Sequence, residues 1–334
     1  MSEMRDILVE QVDRLLASRS EPATLRAAES GTWPEALWDE AEALGLPLAL
    51  VPEQQGGVGL GWGDAVALWQ AMGRHAAPIP LGESMAAAAL LAGAGITPPT
   101  GFIGLGLPGE PVAWGRRAGH LVLAPGGEVT LHAPADWQQG RGLIAREPAD
   151  RPVLAAPLAE GQLPAAYGPD AALLAGALLN AARIAGALEA VLDMTVDYAN
   201  TRKQFGRAIG GFQAVQQLLA RCAGEVAAAG VAVANAGRAA DRHGLGGAEF
   251  EIAAAKVVTG EAGGTGAEIV HQVHAAIGFT DEHPLHLFTR RIWGWRDGAG
   301  PERLWARRIG DAALARGGDR LWADLTSRDE DAIA

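Results

Sequence analysis

Cysteine is almost absent from the sequence, since Cys222 is the single one among 334 residues. One cysteine excludes an internal disulfide framework and a zinc site built from cysteine ligands. Cys222 falls on an apolar stripe with helical spacing, which predicts a small buried side chain. Because no disulfide is available to need an oxidising compartment, we expect the protein in the reducing cytoplasm.

Basic residues are scarce relative to acidic ones, with 27 Lys and Arg against 39 Asp and Glu and a net charge of -12. An acidic chain has no general attraction for nucleic acid or anionic lipid, so an anionic ligand needs a local basic cluster. Charged residues such as Arg5 and Glu10 interrupt the segment where a secretory signal would be apolar. Ala- and Leu-rich stretches such as 85–95 are too short to span a bilayer. The composition therefore predicts a soluble protein without nucleic-acid or membrane partners.

Three segments differ in composition along the chain. Residues 1–98 carry apolar side chains at helical spacing and predict an N-terminal helical domain. Residues 99–166 are rich in Pro and Gly, and β-type segments flank the turn at 125–127, which predicts a reduced β-domain of roughly four to six strands. Residues 167–334 return to long Ala-rich helices with short connections, as in a helical bundle. The predicted fold class is α+β, mainly α, in the order helical, β, helical.

Segment 104–109 matches the pattern G-x-G-x-x-G but does not predict a dinucleotide site. That fingerprint needs a helix to begin inside it, so that backbone amides meet a pyrophosphate. Here Pro108 and Pro111 precede a strand-like segment instead. A lone match of this kind is weak, and we reject it.

Two histidine pairs, His271 with His274 and His283 with His286, have i, i+3 spacing. A metal site would want further ligands in a defined geometry. Gly278 and Pro284 put the two pairs in different local structures. The pattern favours solvated or hydrogen-bonded histidines, and no metal is expected.

The most specific segment runs from Arg202 and reads R-K-Q-F-G-R-A-I-G-G-F-Q-A-V-Q. A long helix ends there, a tight turn follows, and a new helix begins. Arg202 suits bidentate contacts to a pyrophosphate. Gln204 and Gln213 offer amide hydrogen bonds, and Phe205 offers an apolar ring face. On residue chemistry alone, a plain helix-hairpin corner and a ligand site remain equally open.

This segment closely resembles the signature of the C-terminal helical domain of acyl-CoA dehydrogenases. In that family the corner reaches across a dimer interface and holds the ADP half of a neighbour's FAD. Segments 46–59 and 272–284 resemble two further family segments, in the right order. The resemblance implies an acyl-CoA dehydrogenase-like fold with a C-terminal four-helix bundle, and FAD as cofactor. By transfer, the residues expected to contact FAD are Arg202, Gln204, Phe205, Gln213 and Gln272.

Two departures from the family pattern concern the FAD site. The family's paired glycines are Ala275 and Ala276 here, which narrows the space for close backbone approach. The β-domain is short and lacks the T-E-P-x-x-G-S-D and W-[IV]-T-N segments with which the family cradles its flavin ring. The chain is expected to retain one half of an FAD site and to lack much of the other.

A third departure concerns the base that removes the α-proton of the acyl thioester. The family usually places a Glu in a Y-E-G-T-like segment, and that position falls here on Asp297 or Ala299. A second branch takes its base from the start of the helix before the corner, which is near Gly176 here and has no carboxylate. Asp297 is shorter than Glu and follows Arg296, and a reach error of about 1 Å can cost roughly a hundredfold in rate. Asp297 is the catalytic candidate of this chain, with the base expected on a partner subunit.

The resemblance implies a subunit of an acyl-CoA dehydrogenase hetero-oligomer that pairs with a full-length homologue. Such complexes are typically heterotetramers with an FAD shared by each heterodimer. Acyl-CoA is the implied substrate, with steroid side-chain CoA thioesters as its class, and an electron-transferring flavoprotein is the candidate acceptor. Two alternatives stay open: a self-sufficient homo-oligomer that uses Asp297 as base, and a non-catalytic scaffold of the same fold.

Overall fold

The computed structural model describes residues 3–327. Five helices build the N-terminal part, and their apolar faces meet in a core that includes the fully buried Leu16 and Trp69. Pro22 begins the second helix, where the missing N–H of proline leaves no hydrogen bond unmade. The helices are α1 (Glu3–Arg19), α2 (Pro22–Glu29), α3 (Glu35–Ala43), α4 (Trp62–Arg74) and α5 (Leu81–Gly93).

Seven short strands form the β-domain in two sheets. The strands are β1 (Ile103–Leu105), β2 (Val112–Ala113), β3 (His120–Leu123), β4 (Glu128–His132), β5 (Asp136–Gln138), β6 (Ala149–Val153) and β7 (Ala159–Gln162). One sheet has the order β1-β3-β4-β7, and the other has the order β2-β6-β5. The predicted turn at 125–127 joins β3 to β4 in an antiparallel pair. The domain holds more strands than the four to six expected, because each strand is only 2 to 5 residues long.

The C-terminal part is a helical bundle, as predicted. A hairpin of two short strands, each two residues long, lies between its first two helices. Its elements are α6 (Ala171–Thr201), β8 (Lys203–Gln204), β9 (Arg207–Ala208), α7 (Gln213–Gly247), α8 (Glu249–His274), α9 (Leu285–Asp297), α10 (Glu302–Arg316) and α11 (Leu321–Thr326). Helix α6 is central, since it packs against α4, α7, α8 and α9. Gly244 has a non-helical φ of 72° near the end of α7.

Helices α4 and α6 cross at very short range and join the N-terminal part to the bundle. A Cβ added to Gly186 of α6 would lie 1.9 Å from the carbonyl oxygen of Gln70. A Cβ added to Gly73 of α4 would lie 2.0 Å from the carbonyl oxygen of Arg183. The two glycines therefore permit a backbone approach that any side chain would prevent.

Helices α6 and α7 are long and apolar enough to cross a membrane, by length and composition alone. The sequence predicted that every apolar stretch is too short for this, and these two helices are longer than expected. In α6, 94% of the apolar window is buried within the molecule, as in a core helix. In α7 only 17% of it is buried, and Val231 is 69% exposed. Most of the apolar stretch of α7 is therefore only half-buried or exposed in this chain.

Candidate functional site

The corner predicted from the sequence forms where α6 ends. The backbone N–H of Arg202 still donates to the carbonyl of Tyr198 at 2.8 Å, but its ψ of 121° leaves the helix. Strands β8 and β9 then pair across a two-residue turn made by Phe205 and Gly206, with φ values of 52° and 82°. Both residues are left-handed, which is the geometry of the tight hairpin turn that matches strand twist.

A small apolar cluster fixes the corner against the end of α8. Ala199, Ile209 and Val273 are buried together there. The N–H of Ile209 donates to the carbonyl of Arg202 at 2.9 Å and closes the hairpin onto α6. Because Gln272 precedes Val273, the structure brings this residue to the same corner although it lies some seventy positions downstream of Arg202.

All five residues predicted to contact FAD are exposed. The Phe205 ring is 91% exposed and stands edge-on to Phe212 at 6.1 Å. Within residues 3–327, the side chains of Arg202 and Gln204 make no hydrogen bond or ion pair. The corner therefore presents a guanidinium, side-chain amides and an exposed aromatic ring on one surface. These groups are free to bind another molecule. These donors suit the phosphates and the ribose of an ADP moiety.

The two histidine pairs come together behind this corner and form what we call the histidine cluster: His271, His274, His283 and His286. The His274 ring stacks on Tyr198 with centroids 4.4 Å apart and lies 4.6 Å from the His283 ring. As predicted, members of the cluster are hydrogen-bonded: His274 Nδ1 lies 2.8 Å from the carbonyl of Val270. Burial lowers the pKa of all four imidazoles.

Ala275 ends α8 with a φ of 53° and a ψ of -139°, a conformation that normally requires glycine. This is one of the two positions where the sequence departs from the paired glycines of the family pattern. Ala275 therefore adopts a conformation suited to glycine at a position where the family pattern has glycine.

A pocket of about 700 Å³ lies where the three parts of the chain meet. The N-terminal part contributes Ile79 and Glu83, the β-domain contributes Leu107 and Glu110, and the bundle contributes residues of α6 and α9. On α6 the lining residues Gly176, Asn180 and Arg183 recur at one helical face. The Arg183 guanidinium lies 4.9 Å from the Trp295 ring centroid and pairs with Glu83 at 2.8 Å.

Asp297, the predicted catalytic candidate, lies at the rim of this pocket. It is exposed at the C-terminal end of α9, between the large pocket and a shallower one lined by Glu302 and Arg303. The neighbouring Arg296 is paired with Glu302 and not with Asp297. The carboxylate at 297 is therefore a solvated group at the mouth of the pocket.

Ala299 and Gly176, two positions at which the family pattern would place a base, touch each other. A Cβ on Gly176 would lie 3.3 Å from the Cβ of Ala299. Sequence reasoning missed the carboxylate that does reach this point. Glu110 Oε2 accepts a hydrogen bond from the N–H of Ala299 at 3.1 Å. Burial raises the pKa of Glu110, and the charge of Lys256 opposes this shift.

Lys256 is fully buried beneath the same end of α9. Its Nζ donates to the carbonyls of Trp295 at 3.1 Å and Arg296 at 2.6 Å. These contacts satisfy carbonyls that the end of a helix leaves unpaired. Burial lowers the pKa of Lys256 to about 8. Lys256 thus fixes the helix end from which the Gly298–Ala299 turn departs.

Two family models match the helical parts of the chain. The acyl-CoA dehydrogenase N-terminal domain matches residues 2–96, and the acyl-CoA dehydrogenase C-terminal domain matches residues 170–314. The acyl-CoA dehydrogenase IpdE2 of Mycobacterium tuberculosis is 34% identical over 304 residues, which is 87% of this chain and 92% of the relative.

Solved structures share the whole fold. One chain of the ChsE4-ChsE5 complex from Mycobacterium tuberculosis aligns with a TM-score of 0.81 and 23% identity, covering 94% of this chain and 98% of that one. A Tcur3481-Tcur3483 steroid ACAD variant aligns with a TM-score of 0.80 and 24% identity, covering 95% of this chain and 99% of that one. The chain therefore belongs to the acyl-CoA dehydrogenase family, whose members are FAD-dependent oxidoreductases that act on acyl-CoA.

Proposed function

We propose that this chain is a subunit of a hetero-oligomeric acyl-CoA dehydrogenase, in which it supplies contacts to the ADP half of an FAD shared with a full-length homologue. The observation that carries the proposal is the corner at Arg202, which is folded and exposed, and where the side chains of Arg202 and Gln204 make no hydrogen bond or ion pair within residues 3–327. The family's flavin-cradling segments are missing from the same chain. A chain that has the ADP-binding corner but not the segments around the flavin ring fits an FAD whose flavin ring is held by another subunit.

The uncovered face of α7 supports an oligomer. Helix α7 begins directly after the corner, and only 17% of its apolar stretch is buried in this chain. Contiguous apolar surface of this kind marks a protein interface. Because only residues 209–212 separate the hairpin from α7, an interface along α7 would bring the corner against the neighbouring subunit.

The comparisons support a partner and a substrate class. The ChsE4-ChsE5 structure is a complex of two different chains, and the Tcur3481-Tcur3483 protein is described as a steroid ACAD. We extend both features to this chain: a heterotetramer built with a full-length homologue, and a steroid side-chain CoA thioester as substrate. The proposal includes the cytoplasm as its location and an electron-transferring flavoprotein as electron acceptor.

In this arrangement the residues of the chain bind and orient the cofactor. Arg202 would hold the pyrophosphate, since its guanidinium suits bidentate contacts, and the amides of Gln204, Gln213 and Gln272 would add hydrogen bonds. Phe205 would offer an apolar ring face. Bound FAD supplies the two-electron acceptor for α,β-dehydrogenation. The base comes from the partner subunit, since Asp297 lies exposed at the pocket rim.

The test is co-expression with a full-length homologue and measurement of FAD content. We expect little FAD in the chain expressed alone and stoichiometric FAD in the complex. Arg202→Ala in the complex should weaken FAD binding by roughly 10- to 100-fold, which is the loss of one charge-assisted bidentate contact. Arg307→Ala is the matched control, because Arg307 is 80% exposed on α10 and pairs with Asp311 across one helical turn.

Stoichiometric FAD in the chain expressed alone would contradict the shared-site proposal. Equal FAD affinity in the Arg202→Ala and wild-type complexes would remove the corner from the cofactor site. A thermal melt of each variant separates a lost contact from a lost fold, because Arg202 is exposed and its replacement should leave the melting temperature unchanged.

A further inference from the structure

Three consecutive residues at the end of α8 lie against the end of α6. Gln272 is exposed, Val273 is buried in the apolar cluster that fixes the corner, and His274 is only 1% exposed. The His274 ring stacks on the Tyr198 ring, with centroids 4.4 Å apart and ring planes 20° apart. The carbonyl of Tyr198 accepts the N–H of Arg202. His274 is therefore next to Gln272 in the chain and one contact away from the residue that ends α6 at Arg202.

The hydrogen bonds of His274 indicate that its ring is neutral. Nδ1 lies 2.8 Å from the carbonyl oxygen of Val270, and because a carbonyl can only accept, Nδ1 carries the proton. Nε2 has no hydrogen-bond partner in the described part of the chain. A second proton, on Nε2, would create a buried cation whose N–H nothing accepts. The Tyr198 ring would attract such a cation, but burial prevails and lowers the pKa of His274.

The groups around His274 do little to compensate a positive charge. The His283 ring lies 4.6 Å from the His274 ring, and a charge on one imidazole opposes a charge on the other. Burial, and then the neighbouring imidazoles, lower the pKa of His271 and of His283. Asp281 lies 3.6 Å from His286 Nε2 but is 94% exposed, so solvent screens its attraction. The titratable and charged groups that face the cluster from the surrounding elements are Tyr198 of α6, Glu29 of α2, Arg290 of α9 and Asp281.

The backbone directly after His274 is strained. Ala275 has a φ of 53° and a ψ of -139°, a region that a residue with a side chain rarely adopts. Such a conformation persists only where the packing around it holds the chain. The contacts of Val273 and His274 hold this chain end on its helical side. Loss of the His274 stack would therefore loosen the end of α8, including Gln272, as well as the end of α6.

We propose that neutral His274 is a positioning residue for the corner at Arg202, and that protonation of the histidine cluster lowers the affinity of the complex for FAD in mildly acid solution. The inference rests on the proposed function, since it takes the corner to bind the ADP half of FAD. His274 is buried, so it acts through Tyr198 on Arg202 and along α8 on Gln272. Like charges in the cluster push the two helix ends apart, and the donors of the corner lose their spacing. Because the FAD-bound corner then holds fewer protons than the free corner, binding weakens as the pH falls through the lowered pKa values.

The test is an FAD titration of the apo complex, co-expressed with a full-length homologue, at neutral and at mildly acid pH. Between about pH 7.5 and about pH 5.5 we expect Kd to rise roughly 3- to 10-fold, since one linked proton changes affinity by up to about tenfold per pH unit. His274→Gln keeps a flat polar group but cannot take the proton, so it should bind FAD at neutral pH nearly as the wild type does and lose most of the pH dependence. His243→Gln is the matched control, because His243 is exposed near the end of α7.

Amide hydrogen exchange of the purified chain gives a second readout that needs no cofactor. His274→Ala and Tyr198→Leu each remove one half of the stack. Both should speed exchange of the Arg202 and Ile209 amides, which are hydrogen-bonded within the corner, and His243→Gln should not. A thermal melt of each variant distinguishes local opening from global unfolding. Tyr198 is half-buried, so Tyr198→Leu tests the stack even where a variant at the buried His274 fails to assemble.

An FAD affinity that is equal at both pH values, or that falls equally in the wild type and in His274→Gln, would overturn the positioning role. Unchanged exchange at the corner in both stack variants would overturn it too. Either result leaves the shared-flavin function standing, provided that the complex binds stoichiometric FAD at neutral pH. A complex that binds no FAD at neutral pH refutes the shared-flavin function itself, and the inference that rests on it is refuted as well.

Discussion

The fully buried guanidinium of Arg291 ties three parts of the molecule together. It lies on α9 and donates to Glu29, the last residue of α2, at 3.1 Å. It also donates to Glu147 of the β-domain at 2.6 Å and to the carbonyl of Leu287 at 2.9 Å. Replacement of Arg291 by Met would fill much of the same volume but take one cation from the buried Glu29 and leave the half-buried Glu147 carboxylate without its own.

We expect Arg291→Met to lower the free energy of unfolding by about 3–5 kcal/mol, the usual effect of removing one partner from a buried ion pair. An unfolding entropy of about 2.1 cal/mol/K per residue gives roughly 0.7 kcal/mol/K for a chain of 334 residues. The loss therefore corresponds to a fall in Tm of about 4–7 °C. Burial raises the pKa of Glu147, so the deficit of the variant should shrink as acid pH protonates this carboxyl.

The assay is differential scanning calorimetry of the wild type, Arg291→Met and Arg307→Met. Arg307 is 80% exposed and its surface pair with Asp311 should contribute less than about 1 kcal/mol. The double variant Arg291→Met with Glu147→Gln should recover part of the loss, because it removes the uncompensated charge. Equal melting temperatures for the two single variants would refute the reasoning from burial and pairing.

Three further predictions concern pH, helix packing and the base. Burial lowers the pKa of each member of the histidine cluster. Below about pH 6.5 the unfolded state therefore binds more protons than the folded state, and the free energy of unfolding should fall as the pH decreases. Urea titrations at several pH values check this, with a shallower slope expected for His274→Gln. Gly186→Ala should destabilise, because its Cβ would lie 1.9 Å from a backbone oxygen of α4, whereas Gly224→Ala on open helix surface should stabilise by up to about 1 kcal/mol. Asp297→Asn should leave the rate of flavin reduction by acyl-CoA in the assembled complex nearly unchanged, and a fall of roughly a hundredfold in rapid mixing would place the base in this chain.

The corner at Arg202 was readable from the sequence because its information is local. One continuous segment contains the end of a helix, a two-residue turn and the start of the next helix. The residues that favour such a turn are neighbours along the chain. The same holds for the order of helical and β segments and for the buried Cys222, whose pKa burial raises to about 11. The β-domain was less predictable, since strands of 2 to 5 residues leave little periodicity to detect.

Glu110 was invisible to sequence reasoning for the opposite reason. It follows a G-x-G-x-x-G segment that was set aside, and its partner Ala299 lies 189 positions away. Only the packing of the β-domain against α6 and α9 brings that carboxylate to the inner end of the pocket, and the same packing leaves Asp297 at the rim. The sequence by itself determined the family, the hairpin corner at Arg202 and the absence of the family's flavin-cradling segments, because each is a contiguous pattern of residue types. Tertiary structure alone decided which carboxylate reaches the pocket, because burial and reach are set by contacts between segments far apart in the chain.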